Sequence, residues 1–167
     1  MYICVNSTQD MVGKKRKIVV LGGSFNPPTL AHYRLMEKAL NALGAEVGIF
    51  VPVSDAYLKR KMRHSHPPVI LSPELRVRML QTMCTDERMT VSEMEIGTIA
   101  ARTVDTMQEL QIMYPDAELY FVMGADKLDL LIHLTENRDF LNKFNVILYS
   151  REDVGLEANS HMMIFPI

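Results

Sequence analysis

Cysteine, one-sided charge and long apolar runs are all scarce in this chain, and each scarcity closes off a class of protein. The two cysteines among 167 residues, Cys4 and Cys84, are far apart, and neither lies in a pair with metal-ligand spacing. That usage fits a reducing, cytoplasmic setting. Basic and acidic residues nearly balance, 18 against 20 for a formal net charge of −2, so no summed field draws the chain to nucleic acid or to an anionic membrane. Any anion it binds must be held locally. No apolar run reaches the roughly 20 residues needed to span a bilayer, and residues 1–13 mix Asn, Ser, Gln and Asp where a secretion signal would be hydrophobic. A soluble protein is expected.

What is present is an ordinary domain's worth of apolar residues, 48% of the total, enough for one core and short for two. Short apolar runs alternate with longer segments of helical period, the sequence form of βαβ units around a parallel sheet buried on both faces. Strands are expected near 17, 46, 89, 118 and 145, with "MTVSEMEI" (89–96) alternating like a strand and "ELYFVMG" (118–124) fully apolar. The segment 30–43 places Leu30, Leu35, Met36, Leu40 and Leu43 mainly on one helical face, and Gly44 stops it. Residues from about 54 to 71 read as a polar, proline-punctuated loop, and "SPELRVRML" opens a helix with an N-cap serine followed by proline. "TVDTMQELQIMY" (103–114) is helical in pattern. The fold expected is α/β, a single-domain, open, doubly wound parallel sheet over 17–167. Residues 1–16 are read as a flexible extension whose Lys14 to Lys17 cluster is a solvated lead-in. Thirteen methionines are assigned to the core, and His64 and His66 to the surface rather than to zinc.

Doubly wound sheets bind ligands beyond the carboxyl ends of their strands. At that place in the first main strand stands "VVLGGSFNPPTLAHYRLMEKAL" (19–40). Gly22 and Gly23, lacking Cβ atoms, let a bulky anion approach the main chain; Pro27 and Pro28 stiffen the turn into the helix. The helix amino end that follows favours phosphate. Thr29 and His32, three apart at that end, project to one side, and both can donate hydrogen bonds to phosphate oxygens. The pattern is neither G-x-G-x-x-G nor G-x-x-x-x-G-K-[ST], which excludes the dehydrogenase and P-loop signatures.

"GGSFNPPTLAH" resembles the G-S-F-[ND]-P-x-[TH]-x-x-H signature of the nucleotidyltransferase superfamily, and within it of the nicotinamide or nicotinate mononucleotide adenylyltransferases. Further similarities follow in order: "VPVSDAYLKRK" (51–61), closest to the amide-type "DAY-x-K" loop; "LSPELRVRML" (71–80); "ARTVDTMQELQIMYPDAELYFVMGAD" (101–126); and "NVILYSRE" (145–152). The resemblance implies a Rossmann-like nucleotidyltransferase fold and adenylyl transfer from ATP to a pyridine mononucleotide, giving a dinucleotide and pyrophosphate in NAD biosynthesis. It implies that Gly22, Gly23, Ser24 and Phe25 line the central site and that Thr29 and His32 hold the ATP phosphates. By the same likeness Tyr57 and Lys59 meet the mononucleotide, Thr103 its carboxamide or carboxylate, and Gly124 and Asp126 the nucleotide sugars or base. Mg²⁺ would be held mainly by ATP phosphates and water, with no protein metal site. The chemistry needs alignment and charge neutralisation rather than a protein nucleophile, so His32 is cast as a donor to the α- or β-phosphate.

Taken alone, Lys59 to Arg63 would read as solvated charge, Thr103 as a helix cap with Arg102 solvated, and Asp126 as a cap for the segment after it. The chain also departs from the family pattern. It has no tryptophan to stack on a pyridine ring, the corresponding places falling near Met94 and Asn137, and Thr29 replaces the first histidine of the H-x-x-H form. The family's I-S-S-T-x-x-R segment is expected just past Ile167, so the domain is read as lacking it. Another phosphomonoester acceptor, or a nucleotide-binding protein without catalysis, are the alternative functions. Oligomeric state is left open, a homo-oligomer included.

Overall fold

In the computed structural model the described residues are 2–5, 15–64, 69–98, 102–124, 140, 142–149 and 163–166. Five parallel strands carry the fold: β2 (Arg16–Gly23), β3 (Val47–Pro52), β4 (Met89–Val91), β5 (Ala117–Gly124) and β6 (Asn145–Tyr149). Two further strands, β1 (Tyr2–Val5) and β7 (Met163–Pro166), extend one edge antiparallel, giving the order β4-β3-β2-β5-β6-β1-β7. The wholly parallel sheet of the sequence reading is therefore its central part. The extension expected to be flexible contributes β1, paired with β6 at Tyr2 to Leu148 and with β7 at Tyr2 to Pro166. Four residues paired over a long separation leave little local signal to read.

β2 lies in the middle because it is apolar on both sides. Ile18 and Val20 face a cluster with Met107 and Leu110, while Val19 and Leu21 face Met36, Leu40 and Leu80. A half-exposed strand would alternate polar and apolar residues; this one is continuous because helices cover both faces. Full burial of such side chains contributes about 1.5–3 kcal/mol each, and Ile18, Val19 and Val20 are all 0% exposed.

α1 (Leu30–Leu43) and α3 (Pro73–Met83) supply one face, and α4 (Thr103–Met113) the other. α1 ends as expected, with Gly44 in the left-handed region at φ 59°. Its phase differs at the start: Met36, Ala39 and Leu40 are buried, but Leu30, in the first turn before the helix meets the sheet, is 68% exposed. α3 begins as read, Ser72 Oγ accepting from Leu75 N–H at 3.3 Å.

Two expectations are corrected. Residues 55–62 are not loop but helix α2 (Asp55–Met62), capped by Ser54 Oγ accepting from Tyr57 N–H at 3.2 Å. Its polarity concealed it, since Leu58 alone is buried. The strand expected over 89–96 stops at Val91 and gives way to turns through Gly97, which has φ 82°. The methionines divide: Met36 and Met107 are fully buried, whereas Met113 is 63% exposed. Among the described residues no helix is long and apolar enough to cross a membrane.

From β2 the chain winds outward through β3 to β4, then returns to the other side of β2 for β5 and β6. The reversal falls between β2 and β5, where such sheets open a crevice at their carboxyl ends.

Candidate active site

A cavity of about 630 Å³ occupies that crevice. Its floor is Gly22, Gly23 and Ser24 from β2 and the following turn, with Gly124 from the end of β5. His32 of α1, Tyr57 and Lys61 of α2, Glu95 from the turns after β4, Arg102, Thr103 and Thr106 at the start of α4, and Tyr149 at the end of β6 complete the polar lining. Segments far apart in the chain thus converge at the carboxyl end of β2.

The turn after β2 is fixed by rings. Phe25 has φ +44° and is 2% exposed; its ring meets His32 edge-on at 5.0 Å and Phe50 at 5.8 Å. A Cβ on Gly23 would lie 3.0 Å from the Phe25 ring, so the close approach needs glycine there. Phe25 therefore lies beneath the turn and supports it, and its side chain does not line the cavity. Asn26 ties the turn to the strand of chain before α3: its Nδ2 donates to Val69 O at 2.7 Å and its Oδ1 accepts from Leu71 N–H at 2.8 Å.

His32 is oriented by its own helix. Thr29 N–H donates to His32 Nδ1 at 2.9 Å, and Thr29 Oγ1 lies 2.9 Å from the same nitrogen. With Nδ1 accepting, the neutral ring carries its proton on Nε2, at the opposite edge, as a donor. Thr29 itself is exposed and does not line the cavity. It reaches the cavity only through its contacts with the imidazole.

α2 settles which basic side chain faces inward. Tyr57 and Lys61, four apart, share a face and line the cavity, and Lys61 Nζ donates to Ser24 Oγ at 3.1 Å. Lys59 lies about 200° around the helix from Tyr57 and is exposed outside the cavity. Of the two lysines it is Lys61, and not the Lys59 singled out from the sequence, that lines the cavity, because the segment is helical.

At the far wall Arg102 forks onto Asp105, with Nε to Oδ2 at 2.9 Å and NH2 to Oδ1 at 3.0 Å. That guanidinium holds the Asp105 carboxyl below the ordinary range. Arg102, not Thr103, is the α4 N-cap residue, which leaves Thr103 in the first helical turn beside the cavity. Glu95 accepts from Thr106 Oγ1 at 2.6 Å, and burial pushes its carboxyl up from 4.5. Asp126, Asn137 and His66 lie outside the described residues.

The sequence reading named Lys61 only among the cations of its loop and passed over Glu95, Asn26 and Arg76. The last had a usable signal: Arg76 shares a helical face with Val77 and Leu80, and an arginine on an apolar face needs a buried partner. The other three are placed by contacts more than ten residues apart in the chain.

Residues 20–165 match the cytidylyltransferase-like family. Over 154 residues the chain is 34% identical to a Maridesulfovibrio salexigens protein named "Probable nicotinate-nucleotide adenylyltransferase", covering 90% of this chain and 68% of that one. The chain belongs to the cytidylyltransferase-like family, among its nicotinate-nucleotide adenylyltransferases. A Listeria monocytogenes relative of the same name is 34% identical over 123 residues, which is 70% of this chain and 60% of the relative. Two solved structures share the fold of this adenylyltransferase-family chain. One, from Vibrio parahaemolyticus, has TM-score 0.63 at 19% identity, covering 85% and 81% of the two chains. The other is Plasmodium falciparum nicotinic acid mononucleotide adenylyltransferase complexed with NaAD, with TM-score 0.59 at 17% identity and coverage of 84% and 77%.

Proposed function

We propose that the chain transfers the adenylyl group of ATP to nicotinate mononucleotide. An oxygen of the mononucleotide phosphate attacks the α-phosphorus of ATP; that P–O bond forms as the bond from the α-phosphorus to the bridging oxygen breaks, and pyrophosphate leaves. The attacking phosphate is already ionised at neutral pH, so no protein base is required. The site's task is to align two anions and to neutralise charge building on the leaving group.

The observation that carries the proposal is the Thr29–His32 contact of 2.9 Å beside the glycine turn. It sets the imidazole so that an Nε2–H donor stands at the rim of a cavity whose floor is main chain. Gly22 and Gly23 let the ATP phosphates approach that floor, and His32 donates to the α- or β-phosphate. Lys61, now hydrogen-bonded to Ser24, is the cation for the mononucleotide phosphate; Tyr57 flanks it. Arg102 and Thr103 stand where the pyridine substituent would lie.

Mg²⁺ would ride on the ATP phosphates and neutralise them. The donor set fits this: the one carboxylate lining the cavity among the described residues is Glu95, whose raised pKa and hydrogen bond to Thr106 suit it poorly to a dication.

The acceptor is the finer part of the proposal. The "DAY" motif pointed slightly to the amide, but Asp55 is committed to Arg76, which removes it as evidence about the ring. The relatives' names favour the acid. The test is pyrophosphate release with ATP, Mg²⁺ and each mononucleotide in turn. Turnover fastest with nicotinate mononucleotide supports the whole reading; turnover with the amide alone overturns the acceptor, and ATP binding without turnover on either overturns the activity.

A further inference from the structure

The Arg76 side chain has no accessible surface, yet nothing in adenylyl transfer as proposed above uses it. Its NH1 donates to Ser24 O and to Val53 O, each at 3.0 Å, and its NH2 donates to Asp55 Oδ1 at 3.0 Å. Each acceptor belongs to a different piece of the cavity. Ser24 follows the glycine turn, Val53 follows β3 and is itself bonded through its N–H to Gly23 O at 3.0 Å, and Asp55 opens the helix that presents Tyr57 and Lys61. The remaining donor, Nε, is buried without a hydrogen-bond partner.

A buried charge with one unsatisfied donor is a poor device for stability, since apolar side chains of similar volume commonly do as well or better. What an arginine fork does and an apolar side chain cannot is fix several acceptors at set angles. We infer that Arg76 is a positioning residue for adenylyl transfer: it locks the turn that receives ATP to the helix that receives the mononucleotide, and so sets the distance between the two reacting groups.

This rests on the proposed activity, and it has its own signature. A residue that sets relative alignment of two bound substrates acts on kcat and leaves each substrate's binding nearly unchanged. Arg76→Lys keeps the charge but offers a single ammonium in place of the fork. Asp55→Asn keeps the bonds to both carbonyls and weakens only the link to α2. The full chain and both variants are compared by steady-state kinetics, thermal midpoint, and backbone hydrogen exchange.

The expected result is a kcat about tenfold or more below the parent for Arg76→Lys, with both KM values within about threefold. Asp55→Asn should fall between Arg76→Lys and the parent. Exchange should rise at residues 22–26 and 53–57 while the centres of β2 and β3 stay protected. The inference is overturned by a kcat within about twofold of the parent, by a loss that disappears once rates are corrected for folded fraction, or by a change confined to one KM. Where the parent releases no pyrophosphate on either mononucleotide, the proposed function has failed and exchange alone decides on Arg76. Local exposure of the two segments supports the lock; unchanged or uniformly raised exchange overturns it.

Discussion

The two walls of the cavity are built on opposite plans. The turn from β2 into α1 carries no charged residue between Gly22 and Ala31, and it is held by the Phe25, His32 and Phe50 rings and by Asn26. The wall formed by α2 carries Asp55, Lys59, Arg60 and Lys61 within eight residues and is held by Arg76, Asp55 and Lys61. The first offers a cradle of main chain and imidazole; the second offers cations on a helix that is itself tethered by an ion pair to the buried Arg76. Such a division suits a reaction in which one substrate must be stretched along a fixed surface while the other is drawn in and aligned.

The largest expected effect belongs to the first wall. His32→Ala should lower kcat by about a hundredfold or more with a smaller change in mononucleotide KM, because a donor to developing charge is lost. A near-parental rate would make the two walls equivalent and remove His32 from the reaction. On the second wall, Lys61→Ala should raise the KM for the mononucleotide by about tenfold, whereas Lys59→Ala should leave it within about twofold. The reverse order would restore the lysine read from sequence and place the face of α2 wrongly.

A smaller effect separates the two parts of the Thr29–His32 pair. Thr29→Val keeps the main-chain N–H that donates to Nδ1 and loses only the hydroxyl, so kcat should fall by roughly threefold, far less than for His32→Ala. A loss matching His32→Ala would show that the hydroxyl itself meets the phosphate.

Smallest is a pH effect at the far wall. Burial raises the Glu95 carboxyl above its ordinary value of 4.5 in the folded chain. Folding then binds a proton more tightly than the unfolded chain does, so this group's contribution to stability falls as pH rises from the unfolded value through the raised folded one. Above that window the ionised, desolvated carboxylate is a net cost, which Glu95→Gln removes. Thermal midpoints should match near pH 4 and diverge toward pH 7, the variant higher by roughly 2 °C. A variant less stable at neutral pH would show that the hydrogen bond to Thr106 outweighs desolvation.

The same contrast explains what could be read from the chain. The first wall depends on neighbours in sequence: Gly22 and Gly23, then Thr29 and His32 one helical turn apart, each with its place set by local geometry. The five parallel strands and the site at the carboxyl end of β2 were legible for a related reason, since apolar runs and turn residues are local signals. The second wall depends on Arg76 reaching back 52 residues to Ser24 and 21 to Asp55, and on Lys61 reaching 37 to Ser24. No periodicity encodes such distances. α2 was missed because a short helix with one buried residue carries no apolar stripe, and β1 because a four-residue edge strand acquires its meaning only from β6 and β7. Phe25 was placed in the right segment with the wrong duty: its positive φ turns the ring under the glycines, into the core.

The central claim is that the glycine turn and His32 together receive the phosphates of ATP. A crystal structure of the full chain with a non-hydrolysable ATP analogue and Mg²⁺ tests it most directly. The account predicts phosphate oxygens within hydrogen-bond distance of His32 Nε2 and of main-chain N–H groups between Gly22 and Ser24. A triphosphate bound elsewhere, or one at the cavity with His32 Nε2 turned away from it, would contradict the account.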